Sequence, residues 1–207
     1  MPSINDHPQI LETRRVAWID EAACAATARA LAQRPALREA IVELRGPLSA
    51  GKTTFVRHLL HALGFAGRVK SPTYTVLEPY ELANGAVWHF DFYRFDDPQE
   101  WEDVGFRDIY AGPGLKIAEW PDKAHGLLPA PDLEIEIDFR GGDPDAGRDA
   151  VFTALTARGR ELLARRSRGA ASFGAARHSC CCSARARSLS ARASSRCASG
   201  RPTSTRA

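Results

Sequence analysis

The first part of the chain combines a strand-like pattern with a helix-like one. Residues 9–16 predict a short first strand. Residues 21–34 predict a helix, for which Asp20 is a suitable N-cap and Pro35 a stop signal. The chain thus opens with a strand and a helix.

A compact apolar strand is then followed by a short loop and an amphipathic helix. Residues 40–44, AIVEL, are typical of a buried strand. Residues 52–64 predict a helix that ends at Gly64, a residue suited to a C-cap. Its apolar face carries Phe55, Leu59, Leu60 and Leu63.

Two alternating runs around Asn84-Gly85 predict a β-hairpin, with strands at 74–82 and 86–95. The second run alternates so that its side chains divide between two faces. One face carries Trp88, Phe90 and Phe92, and the other carries His89, Asp91 and Tyr93.

The remaining pattern continues to mix strands and helices. Residues 97–105 predict a short helix, and residues 115–120 predict a strand. Strands at 132–139 and 151–155 surround a Gly- and Asp-rich turn, which predicts a second hairpin. A last helix is predicted for residues 159–166.

The loop between the strand at 40–44 and the helix at 52–64 has the pattern G-x-x-x-x-G-K-[ST]. Such a loop presents backbone N–H groups and a lysine to the phosphates of a nucleotide, and its hydroxyl residue to Mg²⁺. A strand before it and a helix after it are the context the motif requires. The predicted ATP-binding residues are Gly46, Leu48, Ser49, Ala50, Gly51, Lys52, Thr53 and Thr54.

The order of elements predicts an α/β fold. We expect a three-layer domain of the P-loop NTPase type over residues 1–166, with a mixed central sheet because of the two hairpins. Residues 167–207 are rich in Arg, Ser and Ala and lack apolar periodicity, so we expect a disordered tail.

Charge is distributed unevenly along the chain. The net charge is +3, yet residues 165–207 contain ten Arg and no acid, which leaves residues 1–164 at −7. A basic tail can attract RNA, can lack a function, or can arise from out-of-frame translation of GC-rich DNA.

Composition favours a cytoplasmic protein. No run of about 18 apolar residues is present, and the N-terminus lacks the apolar stretch of a signal peptide. Of five cysteines, Cys24 lies in the body and the others lie in the tail without C-x2-C spacing, so we expect free thiols.

Hydrolysis of a bound nucleotide requires an acid beyond the loop. Glu119 ends the run LKIAE of one predicted strand, and Asp91 lies in the segment HFDFYR of another. The alternatives are a solvated strand-end acid for Glu119 and an N-cap or a partner of Arg94 for Asp91. His58 and His61 are three residues apart on a predicted helix and are interpreted as surface residues.

The segments GPLSAGKTT, VKSPTYTVLEPYEL, HFDFYR and AEWPDK occur in an order and spacing that resemble the TsaE (YjeE) family, over roughly residues 9–165. The resemblance implies a small Mg²⁺-dependent bacterial ATPase that works with TsaB and TsaD. Together these proteins place a threonylcarbamoyl group on adenosine 37 of tRNAs that read ANN codons. It also implies indirect contact with tRNA and no membrane.

The resemblance assigns further roles by position. Lys52 and Thr53 match the phosphate and Mg²⁺ residues. Asp91 and Glu119 match acids needed for turnover, and both are candidate metal residues beside Thr53. Ser71, Pro72 and Thr73 match a switch-like loop near the γ-phosphate.

Three positions depart from the family pattern. Pro47 stands where the family usually has Asp, Ser49 where it has Gly, and Cys24 where Thr is common. Pro47 lacks a backbone N–H. Ser49 resists the positive φ that Gly adopts freely, so we expect a weaker phosphate site.

Three other functions remain open at this stage. A small P-loop kinase needs an Arg-bearing lid, and no such segment is visible. A GTPase needs an [NT]-K-x-D element, which the chain lacks. A non-catalytic, nucleotide-dependent docking subunit is the third alternative, favoured by the two departures in the loop.

Overall fold

The computed structural model describes residues 9–95, 101 and 105–164. Most of the helix predicted for 97–105 lies outside the described residues, as does the tail at 167–207. Within the described residues, no helix is long and apolar enough to cross a membrane.

The described strands follow the predicted order, and three of the four described α-helices correspond to predicted helices. The strands are β1 Glu12–Trp18, β2 Ile41–Arg45, β3 Leu77–Leu82, β4 Gly85–Asp91, β5 Leu115–Glu119, β6 Leu133–Phe139 and β7 Arg148–Ala154. The α-helices are α1 Glu21–Ala32, α2 Lys52–Ala62, α3 Phe106–Ala111 and α4 Ala157–Leu163.

All seven strands form one mixed sheet in the order β1-β7-β6-β2-β5-β4-β3. The central pairs β2–β5, β2–β6 and β4–β5 are parallel. The outer pairs β1–β7, β6–β7 and β3–β4 are antiparallel. The predicted mixed sheet is therefore confirmed, and β1 and β3, which contains Pro79, are its edge strands.

Helices and apolar clusters cover both faces of the sheet. On one face α1, α2 and α4 pack over strand residues that include Val42, Leu44 and Ile117. The other face holds an aromatic cluster of Phe90, Phe92, Phe95, Trp101, Phe106 and Tyr110. His89 and Asp91 alternate with Phe90 along β4 and point away from the aromatic cluster. Three layers result, as expected for this class of fold.

Several boundaries differ from the predicted ones. β1 begins at Glu12 rather than at residue 9 and continues to Trp18, because its register is set by pairing with the distant strand β7. Residues Pro35–Glu39 form a 3₁₀ turn, and α3 was not predicted. A helix of six residues is too short to show a clear 3.6-residue period.

Candidate nucleotide-binding site

The phosphate loop, residues 46–51, joins β2 to α2 in the centre of the sheet. Gly46 has φ 127°, and a Cβ there would lie 1.9 Å from the carbonyl oxygen of Ile137. Gly51 has φ 105° and directly precedes α2. Both glycines are therefore required by the backbone, since other residues rarely adopt these angles.

Ser49 is a non-glycine residue with a positive φ in this loop. Its φ is 66°, in the left-handed region that disfavours side chains with a Cβ. The departure from glycine noted in the sequence thus falls at a position where glycine is the less strained residue. Pro47 accepts a hydrogen bond from the Ala50 N–H, at 3.2 Å, through its carbonyl group.

Lys52 is buried at the mouth of the phosphate loop. Its Nζ donates to the carbonyl oxygens of Gly46 and Pro47, both at 2.8 Å, and lies 3.8 Å from the ring centroid of Trp120. Burial lowers the pKa of Lys52, and the nearby carboxylates of Glu119 and Asp91 oppose that effect. The amine is thus placed beside both predicted acids.

Glu119 lies at the end of β5 and is almost fully buried. The Thr53 hydroxyl donates to its two carboxylate oxygens at 2.9 and 3.0 Å. His89 Nε2 is 2.9 Å from Glu119 Oε1. The alternative of a solvated strand-end acid is therefore wrong, because this carboxylate is held between the helix and the sheet.

Asp91 ends β4 and is the register partner of Glu119 on the neighbouring strand. Its carboxylate accepts hydrogen bonds from the Thr73 hydroxyl at 2.8 Å, from the Ser71 hydroxyl, and from the Tyr93 N–H at 3.0 Å. The segment predicted as a switch-like loop therefore contacts Asp91 directly. Pro72 forms a turn in this segment, since its carbonyl group accepts the Val76 N–H at 2.7 Å.

Arg94 does not approach the loop as a partner of Asp91. Its guanidinium lies over the Tyr74 ring, 4.5 Å from the centroid. The two histidines of α2 also have other contacts. His58 is 2.9 Å from a Glu21 carboxylate oxygen, and His61 is 3.2 Å from the Gly67 carbonyl oxygen.

Two clefts meet at the phosphate loop and share Ser49, Gly51 and Thr54 in their walls. The acid cleft has a volume of about 310 Å³ and contains Asp91 and Glu119. The side cleft has a volume of about 370 Å³ and lies between α1, the loop and the β6–β7 turn. Its walls include Trp18, Asp20, Cys24 and Arg148.

Arg148 is a site residue that the sequence analysis missed. Its Nε donates to the Ala50 carbonyl oxygen at 2.8 Å, and its Nη2 donates to that of Ser49 at 3.3 Å. The guanidinium also lies 4.6 Å from the ring centroid of Phe139. No local signal marks this residue, because it reaches the loop only through the pairing of β6 with β7.

Cys24 lines the side cleft but is a poor nucleophile. Burial, with a contribution from the Glu21 carboxylate, raises its pKa to about 12. The thiol is therefore protonated at neutral pH, and Cys24 acts as a small apolar wall residue.

The donor types in the acid cleft suit a magnesium–nucleotide complex. Mg²⁺ is usually held by one or two protein oxygens together with substrate phosphates and water. Thr53, Glu119 and Asp91 supply a hydroxyl and two carboxylates beside the phosphate loop. Among the described residues, no group of three or more His, Cys, Asp or Glu is arranged to hold a metal ion without such a substrate.

Comparisons with known proteins agree on one family. A family model described as "Threonylcarbamoyl adenosine biosynthesis protein TsaE" matches residues 19–148. The tRNA threonylcarbamoyladenosine biosynthesis protein TsaE of Haemophilus influenzae is 40% identical over 123 residues, or 59% of this chain and 75% of that protein. The protein of the same name from Bacillus subtilis is 36% identical over 115 residues, or 56% of this chain and 70% of that protein.

A solved structure has the same fold. The crystal structure of Bacillus subtilis YdiB aligns with a TM-score of 0.62 and 26% sequence identity. The alignment covers 75% of this chain and 94% of that chain.

Proposed function

The chain belongs to the TsaE family of threonylcarbamoyladenosine biosynthesis proteins, and from this membership we propose that it is a Mg²⁺-dependent ATPase in tRNA modification. In this proposal it acts with TsaB and TsaD in the cytoplasm, and touches tRNA only through them. The product is threonylcarbamoyl on adenosine 37 of tRNAs that read ANN codons. The observation that carries the proposal is the contact of Thr53 with Glu119 beside Lys52.

The phosphate loop and α2 supply the groups that bind phosphate. The first turn of an α-helix has N–H groups without intrahelical partners, and they attract anions. Lys52 adds a cation at the same place. Bound Mg²⁺ would neutralise charge on the phosphates, with Thr53 and the two acids as its protein-side oxygens.

Asp91 and Glu119 have different surroundings, which suggests different roles. Glu119 touches Thr53, so we assign it to the metal shell. Asp91 touches Ser71 and Thr73, so we assign it to the coupling of the switch-like loop to the γ-phosphate. A carboxylate in either place can also orient the attacking water.

The side cleft is the proposed place for the base and ribose of ATP. It adjoins the phosphate loop at Thr54 and offers the wall of Trp18 and the guanidinium of Arg148. Arg148 holds the carbonyl groups of Ser49 and Ala50, so it also fixes the shape of the loop.

A partner protein is proposed to complete the site. Among the described residues that line the acid cleft, Lys52 is the one cation, whereas Arg148 lines the side cleft and Arg94 lies over Tyr74. A cation supplied by a partner raises the rate of hydrolysis about 10³- to 10⁵-fold in other P-loop enzymes. We therefore expect slow turnover by the chain alone and a much faster rate with TsaB and TsaD.

Two measurements on three variants test the proposal: nucleotide affinity, and modified tRNA formed per unit time with TsaB and TsaD present. Lys52→Ala should weaken ATP binding by at least about tenfold, because a charge-assisted contact contributes about 1.5–3 kcal/mol. Glu119→Ala and Asp91→Ala should still bind ATP, yet fail in turnover and in sustained tRNA modification.

Exposed residues provide matched controls. Arg29→Ala removes a cation and Glu78→Ala removes an acid at exposed positions away from the clefts, and both should behave like the parent protein. Normal modification by Glu119→Ala and Asp91→Ala would overturn the enzymatic role. ATP binding without any turnover in the parent protein would instead favour the nucleotide-dependent docking subunit.

A further inference from the structure

His89 is a fully buried histidine whose surroundings single it out. It lies on β4, two residues before Asp91 and on the same face of the sheet. Its Nε2 is 2.9 Å from Glu119 Oε1. A carboxylate only accepts hydrogen bonds, so Nε2 carries the hydrogen in this contact.

The second ring nitrogen of His89, Nδ1, argues against a purely structural role for the imidazole. His89 Nδ1 is buried and has no hydrogen-bond partner within the described part of the chain. A buried polar atom without a partner destabilises a fold. An apolar side chain would avoid this penalty, so packing alone does not explain a histidine at position 89.

The contact with Glu119 explains why a histidine occupies position 89. The Glu119 carboxylate is held by the Thr53 hydroxyl on the loop side and by His89 on the sheet side. Without His89, the Thr53 hydroxyl would be the one remaining side-chain donor to this carboxylate among the described residues, and that hydroxyl is itself a proposed ligand. Hydrogen bonds to a metal-binding side chain typically change metal affinity about 10- to 100-fold.

We propose that His89 is a positioning residue that holds the Glu119 carboxylate in the orientation needed for the metal of a metal–nucleotide complex. This inference rests on the proposed function, since it requires a divalent cation beside Thr53. His89 touches neither nucleotide nor cation in this proposal and acts only through Glu119.

The test uses the full chain, Mn²⁺ as the probe cation and a non-hydrolysable ATP analogue. Free Mn²⁺ is followed by electron paramagnetic resonance, and analogue affinity is measured separately in EDTA. His89→Gln places an amide N–H near the Nε2 position, whereas the shorter His89→Asn does not reach Glu119. His89→Leu removes hydrogen bonding altogether.

His89→Asn and His89→Leu should weaken Mn²⁺ binding to the analogue complex about 10- to 100-fold, with analogue affinity in EDTA changed less than about twofold. His89→Gln should stay within about threefold of the parent protein. If His89→Leu fails to fold, the comparison of His89→Gln with His89→Asn still tests the proposal.

Equal Mn²⁺ affinity for the Gln and Asn variants, or an equal loss of analogue affinity in EDTA, would overturn the positioning role. A failure of the proposed function is visible separately. In that case the parent protein itself would bind neither the analogue nor Mn²⁺ with it, before any variant is compared.

Discussion

Ser49 has a backbone conformation in the phosphate loop that is unfavourable for a residue with a side chain. The residue has φ 66°, and its carbonyl oxygen accepts a hydrogen bond from Arg148. A non-glycine residue in the left-handed region costs about 1–2 kcal/mol. The strain belongs to the folded loop, so its release should appear in the stability of the fold as well as in nucleotide binding.

Ser49→Gly is expected to stabilise the protein by about 1 kcal/mol, because the strain released exceeds the extra entropy of glycine in the unfolded chain. For a chain of this size, that corresponds to a rise in Tm of about 2–4 °C. Thermal unfolding with and without ATP measures both effects. Pro47→Asp is the comparison and should change Tm less, and an unchanged or lower Tm for Ser49→Gly would show that the loop tolerates serine without strain.

At the scale of elements, β2 is a central strand that carries an ionisable side chain in the core. Glu43 is 4% exposed and its carboxylate accepts a hydrogen bond from Arg45 at 2.8 Å. Arg45 also contacts Glu134 on β6 and Asp122. Burial raises the pKa of Glu43 from 4.5 to about 7, and Arg45 opposes the shift.

The contribution of Glu43 to the stability of the fold should therefore fall as the pH rises from about 4.5 to 7. In that range the folded state holds a proton on Glu43 that the unfolded state has released, so the contribution is full below 4.5 and lost as the pH rises through 7. The slope from this group is about 1.4 kcal/mol per pH unit. Urea unfolding from pH 4.5 to 8 should show a flatter profile for Glu43→Gln than for the parent protein.

The exposed residue Glu78 is the control for that measurement. Glu78→Gln should leave the pH profile of stability parallel to that of the parent. Parallel profiles for Glu43→Gln and the parent would mean that Glu43 is ionised in the fold and held by Arg45.

Elements with strong local signals were predictable, whereas contacts between distant strands were not. The phosphate loop follows from residues 46–53 alone, and the β3–β4 hairpin follows from Asn84-Gly85. The meeting of His89 with Glu119, and of Arg148 with the loop, depends on strand order and register. These are long-range properties, so spacing along the chain does not reveal them.

At the scale of the whole molecule, the last described helix, α4, is part of the core. Leu162 and Leu163 on α4 are buried in the cluster that also contains Trp18 and Val42. Asp132 connects this end of the chain to the centre of the sheet, because it accepts hydrogen bonds from the Ile41 N–H at 3.0 Å and from the Thr156 hydroxyl.

Because residues 167–207 lack apolar periodicity, truncation after Arg166 is expected to leave Tm within about 2 °C of the full chain. A change of about 1 kcal/mol would shift Tm by about 2–4 °C at this size. ATP affinity should also be unchanged. Differential scanning calorimetry and ATP titration of the two forms check this. A larger drop in Tm would show that the tail packs on the domain, and weaker ATP binding alone would give it a role at the site.

The edge strands of the sheet affect the self-association of the chain. An open edge offers unpaired N–H and C=O groups to any other extended strand, and so invites self-association. β3 limits this at one edge, where Pro79 lacks an N–H and Glu78 and Glu81 are exposed. Two chains that approached along this edge would bring like charges together and find a missing donor. The sequence of β3 therefore disfavours edge-to-edge pairing between copies of the chain.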